Sequence, residues 1–173
     1  AKEAGKVRYL GLANSNAHDF SICNAMHRVD VFQSNHNLFD REAERDLHGI
    51  CQQHGVGFMG YGTLDKGILT ARVTPERKYD RSDVRFAASW WKKQDRSWKF
   101  AAVDKLKQLT RLHDLNLLDL AIAASLESPQ LSTALVGVKN SEQLASLVAA
   151  VNKNVEARVV RKAREIVAQL RPQ

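Results

Sequence analysis

The chain has 173 residues, about one domain on the usual prior of 100–200 residues each. Its 44% hydrophobic and 26% charged content, with 9 Gly and 3 Pro, is ordinary for a globular protein and excludes collagen, coiled coil and disorder; no run of about 18 apolar residues could cross a membrane. The formal net charge of +7 is concentrated in one place, since residues 72–99 hold nine Lys or Arg against four acids.

In chain order, Val7 to Ala13 reads as a strand closed by the turn-rich Asn14-Ser15-Asn16, and a helical stretch follows to about Arg28. Val29 to Gln33 is a second short strand. Asp40 is placed to cap a helix from Arg41 to His54, which Gly55 stops in the left-handed conformation that glycine adopts without strain. Val56 to Tyr61 is a third strand, and an irregular, basic, aromatic stretch runs from Gly62 to Lys99. Helices are predicted over Ala101–His113 and Leu117–Glu127, with Leu106, Leu109 and Leu112 on one face. Thr133 to Val138 is a fourth strand. A helix from Ser141 to Val151 carries Asn140 as its cap and Gln143 at the reciprocal position of a capping box. Val155 to Leu170 is a last amphipathic helix.

Alternating strands and helices of this length predict parallel βαβ units. Four such strands fit either a small doubly wound sheet or half of a (β/α)8 barrel, and periodicity does not choose between them.

Cys23 and Cys51 cannot make a disulfide framework and fit a reducing compartment, hence a cytoplasmic expectation. No phosphate-loop, zinc or dinucleotide fingerprint occurs, and the six scattered histidines read as solvated or capping residues, so no metal is expected. The strand ends are more informative, because parallel α/β folds bind ligands where the carboxyl ends of strands meet their loops. Asn14 and Gln33 carry amides that suit a planar carboxamide, and Tyr61 offers a flat face for stacking. Gly137 and Lys139 precede a helix N-terminus, where free N–H groups and the helix dipole favour an anion.

Five segments also resemble, in order, the C-terminal half of the aldo-keto reductases. Residues 5–14, Gly-Lys-Val-Arg-Tyr-Leu-Gly-Leu-Ala-Asn, are similar to G-K-x-R-x-x-G-V/L-S-N, and residues 33–39, Gln-Ser-Asn-His-Asn-Leu-Phe, to Q-x-x-Y-N/S-L-F. Tyr61 to Thr70 is similar to Y-S/G-x-L-x-x-G-x-L-T, Leu120 to Leu126 to L-A-L-A-W-x-L, and Val136 to Leu144 to G-x-R/K/S-x-x-E-Q-L. The resemblance implies the C-terminal half of a (β/α)8 TIM barrel, its strands being the fifth to eighth, with a long loop after the third strand present and a C-terminal helix. Residues 1–173 would be a partial oxidoreductase domain whose first half is absent, an expectation that the start without Met shares.

Carried over residue by residue, the resemblance implies an NADPH site. Asn14 and Gln33 would hold the nicotinamide carboxamide and Tyr61 would stack on its ring. Gly62, Thr63, Leu64 and Lys66, with Arg72, would line the pyrophosphate. Gly137, Lys139 and Gln143 would hold the adenosine end, where Lys139 pairs with a 2′-phosphate. Three positions depart from the family pattern: Ala13 replaces a Ser, and Ser146 and Leu147 stand where Glu-Asn would face the adenine. The family's catalytic Asp, Tyr, Lys and His lie on the first four strands. No residue here is recognisably the general acid that carbonyl reduction needs, so the chain alone is expected to be inactive and its small carbonyl substrate to require the intact enzyme. A half barrel also leaves sheet edges that invite self-association. Two further readings stay open: a non-catalytic dinucleotide-binding or interaction protein derived from a reductase, and a nucleic-acid module built on the basic, Trp-bearing segment. The same segment reads more readily as a lid over the dinucleotide.

Overall fold

Each strand of the molecule pairs in parallel with the strand that precedes it in the chain. The computed structural model, which describes residues 1–172, places β1 (Gly11–Ala13), β2 (Val31–Asn35), β3 (Gly57–Tyr61) and β4 (Leu131–Ala134) in one sheet in the order β1-β2-β3-β4. Val31 to Asn35 face Gly57 to Tyr61 without interruption, whereas β3 and β4 slip by one residue between Phe58 and Met59. Ser132, the residue skipped there, accepts the Phe58 N–H through its hydroxyl at 3.2 Å. A doubly wound sheet reverses its direction of growth at a switch point. This one does not reverse, and all four carboxyl ends open on the same rim.

The helices are α1 (Ala17–Met26), α2 (Glu42–Asp46), α3 (His48–His54), α4 (Val84–Ala87), α5 (Ser89–Lys92), α6 (Ser97–Arg111), α7 (Leu117–Leu126), α8 (Ser141–Asn152) and α9 (Ala157–Leu170). A 3-10 turn, Asp65–Thr70, follows β3. The alternation of strand side chains makes the core. Phe32 and Phe58 are fully buried, and with Phe20, Val29, Leu47, Cys51 and Val56 they form a small cluster under α1 and α3. A larger cluster joins Ile68 and Leu69 to α6, α7 and α9 through Leu106, Leu120, Val160 and Ala163.

Several element bounds differ from those the sequence predicts, each for a local reason. The first strand shrinks to its last three residues because the Asp30 carboxylate takes the Leu10 N–H at 2.9 Å in place of a ladder partner. The fourth strand begins two residues early and stops at Ala134, so Val136 to Val138 leave the sheet as a loop. The predicted helix from Arg41 to His54 is kinked at Leu47, whose side chain is buried, and Arg41 rather than Asp40 is its cap. Gly55 does adopt the left-handed conformation, at φ 61°. Leu106 and Leu109 face the core as expected, but Leu112 lies beyond the end of α6 and is exposed.

Candidate functional site

The rim at the carboxyl ends of β3 and β4 holds a cavity of about 1000 Å³, at the upper end of the size usual for ligand sites. Its first wall is the chain that leaves β3. Gly62 has φ +68°, and a Cβ there would stand 2.2 Å from Asn35 Oδ1, so any other residue would be strained and would have to displace the Asn35 side chain. The Gly62 carbonyl accepts two hydrogen bonds, from the Asp65 N–H at 2.8 Å and from Asn37 Nδ2 at 3.0 Å. Asp65, Lys66 and Gly67 are then left-handed in succession, at φ 42°, 55° and 95°. Such a run costs energy outside glycine and needs an anchor. Asp65, almost wholly buried, provides it: its carboxylate meets Lys99 Nζ of α6 at 2.7 Å and Lys66 Nζ at 3.4 Å.

The second wall is the loop after β4. Thr63 Oγ1 donates to the Leu135 carbonyl at 3.1 Å and ties the two walls together. Asn140 caps α8 as predicted, its side chain accepting the Gln143 N–H at 2.9 Å. The reciprocal half of the capping box is shifted by one residue, since Gln143 Oε1 accepts from the Lys139 N–H at 2.9 Å rather than from Asn140. That bond occupies the Gln143 carbonyl and leaves its amide nitrogen for a ligand.

The basic segment closes the third side. Arg85 forks onto the Asp83 carboxylate at 2.8 and 2.6 Å, lies 4.2 Å above the Tyr79 ring, and donates to the Lys66 carbonyl at 2.9 Å. The segment is thereby fastened to the turn it covers. Arg85, by side-chain and backbone hydrogen bonds, holds the Asp83 carboxyl well below the usual carboxylate range, and Lys139 across the cavity adds a smaller pull. Of the three tryptophans, Trp91 is buried between Arg85 and Arg96, and Trp98 packs edge-on against Phe39. Only Trp90 is exposed, and it lines the cavity. The aromatics are thus built into the loop and do not form an open stacking platform.

The cavity brings together Tyr61, Gly62, Thr63, Leu64, Lys66, Arg72, Gly137, Lys139 and Gln143. Asn14 and Gln33 lie outside it, Asn14 just past the end of β1 and Gln33 in the middle of β2, which starts and ends two residues later than the predicted Val29 to Gln33. They join it through the backbone, where the Asn14 N–H donates to the Gln33 carbonyl at 2.9 Å, and through Tyr61, whose hydroxyl donates to Asn14 Oδ1 at 2.7 Å. Thr63 lines the cavity with its hydroxyl already bonded to Leu135. Ser146 and Leu147 also line the cavity, the Ser146 hydroxyl bonded back to the Glu142 carbonyl at 2.8 Å. Sequence reasoning passed over Asp83 and Arg85, which line the cavity, and Asn37 and Asp65, which hold its wall from behind. Only Asp83 had a legible signal, as a helix cap two residues before Arg85.

The description of the aldo/keto reductase family matches residues 1–168. This chain belongs to that family. Among curated relatives, it is 27% identical to the NADH-specific methylglyoxal reductase of Escherichia coli (strain K12), over 89% of this chain and 47% of that one. It is also 27% identical to aldo-keto reductase YhdN of Bacillus subtilis (strain 168), over 84% and 44%. The chain spans about half the length of the curated relatives it matches. Among solved structures, the glycerol dehydrogenase AKR11B4 from Gluconobacter oxydans superposes with a TM-score of 0.82 at 23% identity, covering 99% of this chain and 52% of that one. The holo form of aldo-keto reductase AKR11C1 from Bacillus halodurans gives 0.69 at 19% identity, with 98% and 52% covered. These two likenesses concern the fold.

Proposed function

We propose that this chain is the C-terminal, cofactor-binding half of an NADPH-dependent aldo-keto reductase that reduces aldehydes or ketones to alcohols in the cytoplasm. The observation that carries the reading is the gathering of nine of the eleven expected cofactor residues around one cavity. The cavity fits the group chemically. Lys66, Arg72 and Lys139 supply positive charge, and Tyr61 and Trp90 supply flat faces. When bound, the dinucleotide supplies a hydride to the carbonyl carbon. The residues of this chain orient it: Tyr61 and Asn14 at the nicotinamide end, the turn from Gly62 to Lys66 at the pyrophosphate, Lys139 and Gln143 at the adenosine end. Arg85 fastens the basic segment beside it, and Trp90 lines the cavity wall. Lys139 favours a 2′-phosphate and hence NADPH.

Turnover also needs a proton donor at the carbonyl oxygen. The Tyr61 hydroxyl donates to Asn14, Tyr79 is stacked under Arg85, and Tyr9 stands exposed before β1. Tyr61 and Tyr79 are engaged and Tyr9 does not line the cavity, which supports the expectation that the chain alone is inactive. The missing acid belongs to the half that completes the barrel, and the sheet has the surfaces for it. At its β1 end α1 exposes Ile22 and Met26; at its β4 end α8 exposes Leu144, Val148 and Val151. One helical face unpaired at each end of a sheet arc is what barrel closure would cover.

The test is titration of the chain with NADPH and NADH, followed by fluorescence transfer from Trp90, then an assay of NADPH consumption with a simple aldehyde. The expected result is saturable NADPH binding, tighter than NADH, with no consumption above buffer. Binding of an oligonucleotide but neither dinucleotide would favour the nucleic-acid reading and sink this one.

A further inference from the structure

The loop from His36 to Arg41, between β2 and α2, lies outside the cavity yet grips the segment that lines it. The His36 N–H donates to the Tyr61 carbonyl at 2.9 Å. Asn37 is buried, and both ends of its side-chain amide are bonded. Its Oδ1 accepts from the Phe39 and Asp40 N–H groups at 2.9 and 3.0 Å, which closes its own turn, and its Nδ2 donates to the Gly62 carbonyl at 3.0 Å. Only the last of these bonds leaves the loop. It lands on Gly62, a residue of the cavity wall with no side chain of its own to hold it.

We propose that Asn37 is a positioning residue for dinucleotide binding, its carboxamide fixing the Gly62 carbonyl and so the backbone from Gly62 to Lys66 that faces the pyrophosphate. The inference rests on the functional reading given above. A glycine at φ +68° has many other conformations open to it. The same carbonyl receives the Asp65 N–H, which starts the left-handed run of Asp65, Lys66 and Gly67. Freeing the carbonyl therefore lets the whole turn sample conformations in which its N–H groups and Lys66 no longer converge. Affinity falls by the fraction of time the competent turn is lost. The Asn35 carboxamide, whose Oδ1 packs against Gly62 without a hydrogen-bond partner, blocks one escape route but supplies no bond.

Asn37→Asp separates this role from a merely structural one. It keeps both acceptor bonds that close the turn and replaces the donor by a carboxylate oxygen facing a carbonyl. Asn37→Ser serves as a second variant, with a hydroxyl able to close the turn but too short to reach Gly62. Amide hydrogen exchange of the unliganded 173-residue chain is measured first. The Asp65 and Gly67 amides are expected to exchange about tenfold faster in both variants, with β2, α3 and α6 unchanged. NADPH is expected to bind about tenfold more weakly, while 2′-AMP, which reaches only the Lys139 end, binds as before. Unchanged exchange over residues 62–67 overturns the inference, as does a parallel loss of NADPH and 2′-AMP binding with exchange raised throughout α2 and α3. If the unaltered chain binds neither ligand, the functional reading falls and takes this role with it. That outcome is distinct from a chain that binds both ligands and is indifferent to residue 37.

Discussion

The two ends of the proposed dinucleotide site are built differently. The pyrophosphate and adenosine end is walled on three sides, by the turn after β3, the loop after β4 and the basic segment, and its walls are pinned by Thr63, Arg85 and the Asp65–Lys99 pair. The nicotinamide end consists of Asn14, Gln33 and Tyr61 on successive strands, with Asn14 exposed and one side-chain bond between them. Beneath the first end lies the larger core cluster, whereas the second rests on the small one and borders the unpaired edge of β1. On the proposed reading, this chain would carry the anchoring of a dinucleotide, and the placing of its reactive ring would depend on what covers the β1 edge.

The harshest way to break the comparison is Gly62→Val. It forces a β-branched residue to φ +68° and drives a Cβ to 2.2 Å from Asn35 Oδ1. Left-handed strain and overpacking together are expected to cost about 2–4 kcal/mol, read as a lowered denaturant midpoint, with dinucleotide binding lost. Gly137 gives the control within the same cavity, because nothing lies within 4 Å of the Cβ position there. Gly137→Ala should change stability by less than about 0.5 kcal/mol. Equal costs at the two glycines would mean that the turn after β3 is not the rigid wall described.

Acid should loosen the nicotinamide side first. Glu44 sits under that side, bonded to His36 Nε2 at 2.9 Å and to Arg41. Burial alone would raise its pKa, but the hydrogen bonds from His36 and Arg41 prevail and lower it from the ordinary 4.5 to about 2. A carboxyl with a depressed folded pKa stabilises fully above its unfolded value and loses that contribution as pH falls from about 4.5 to 2. The amount is on the order of 3 kcal/mol. His48, whose rings face both His36 and Phe58, is held below its ordinary value by burial. Its neutral form is favoured in the fold, so it too withdraws stability as pH drops below about 6.5. Amide protection factors, followed from pH 6.5 to 3, should therefore fall in α2 and α3 before α6 and α7. A uniform fall would contradict the division into two regions.

The parallel order of strands, the Gly55 stop and the Asn140 cap were legible because each depends on local chemistry: hydrophobic alternation, a left-handed position, a side chain reaching its own helix. The cavity was legible through the resemblance more than through spacing. Eight of the nine expected residues that line it fall in two short segments that a family pattern marks, and nothing in the composition of Gly62 to Gly67 announces three left-handed residues in a row. What stayed hidden were contacts across distance. Asn37 to Gly62 spans 25 positions, Lys99 to Asp65 spans 34, and Thr63 to Leu135 spans 72. The early stop of β4 was hidden for the same reason, since Val136 and Val138 have strand-forming side chains and leave the sheet only because a cavity wall is needed there.

Lys139→Met sharpens the comparison at the anchored end. If that lysine meets a 2′-phosphate, NADPH should bind about tenfold more weakly, the effect of one charge-assisted hydrogen bond. NADH should change less than about twofold. Raising the salt should narrow the gap between the two cofactors in the parent and leave the variant almost unmoved. An equal loss for both cofactors would place Lys139 on the pyrophosphate instead.

Tyr61→Phe is the mildest change, and it probes the open end directly. The ring keeps its stacking face and its place in the cavity wall, and only the bond from the hydroxyl to Asn14 Oδ1 disappears. Because Asn14 is exposed, water can replace that donor, so the loss of stability should stay below about 1 kcal/mol. Dinucleotide affinity should fall by no more than about threefold, because the anchoring groups lie elsewhere. The informative readout is the reduced nicotinamide's own fluorescence, which reports its immobilisation. It should drop more than affinity does, since Asn14 loses the one side-chain contact that fixes its orientation. A tenfold loss of affinity would show that the nicotinamide end already carries binding energy in this chain, and the contrast between the two ends would be wrong.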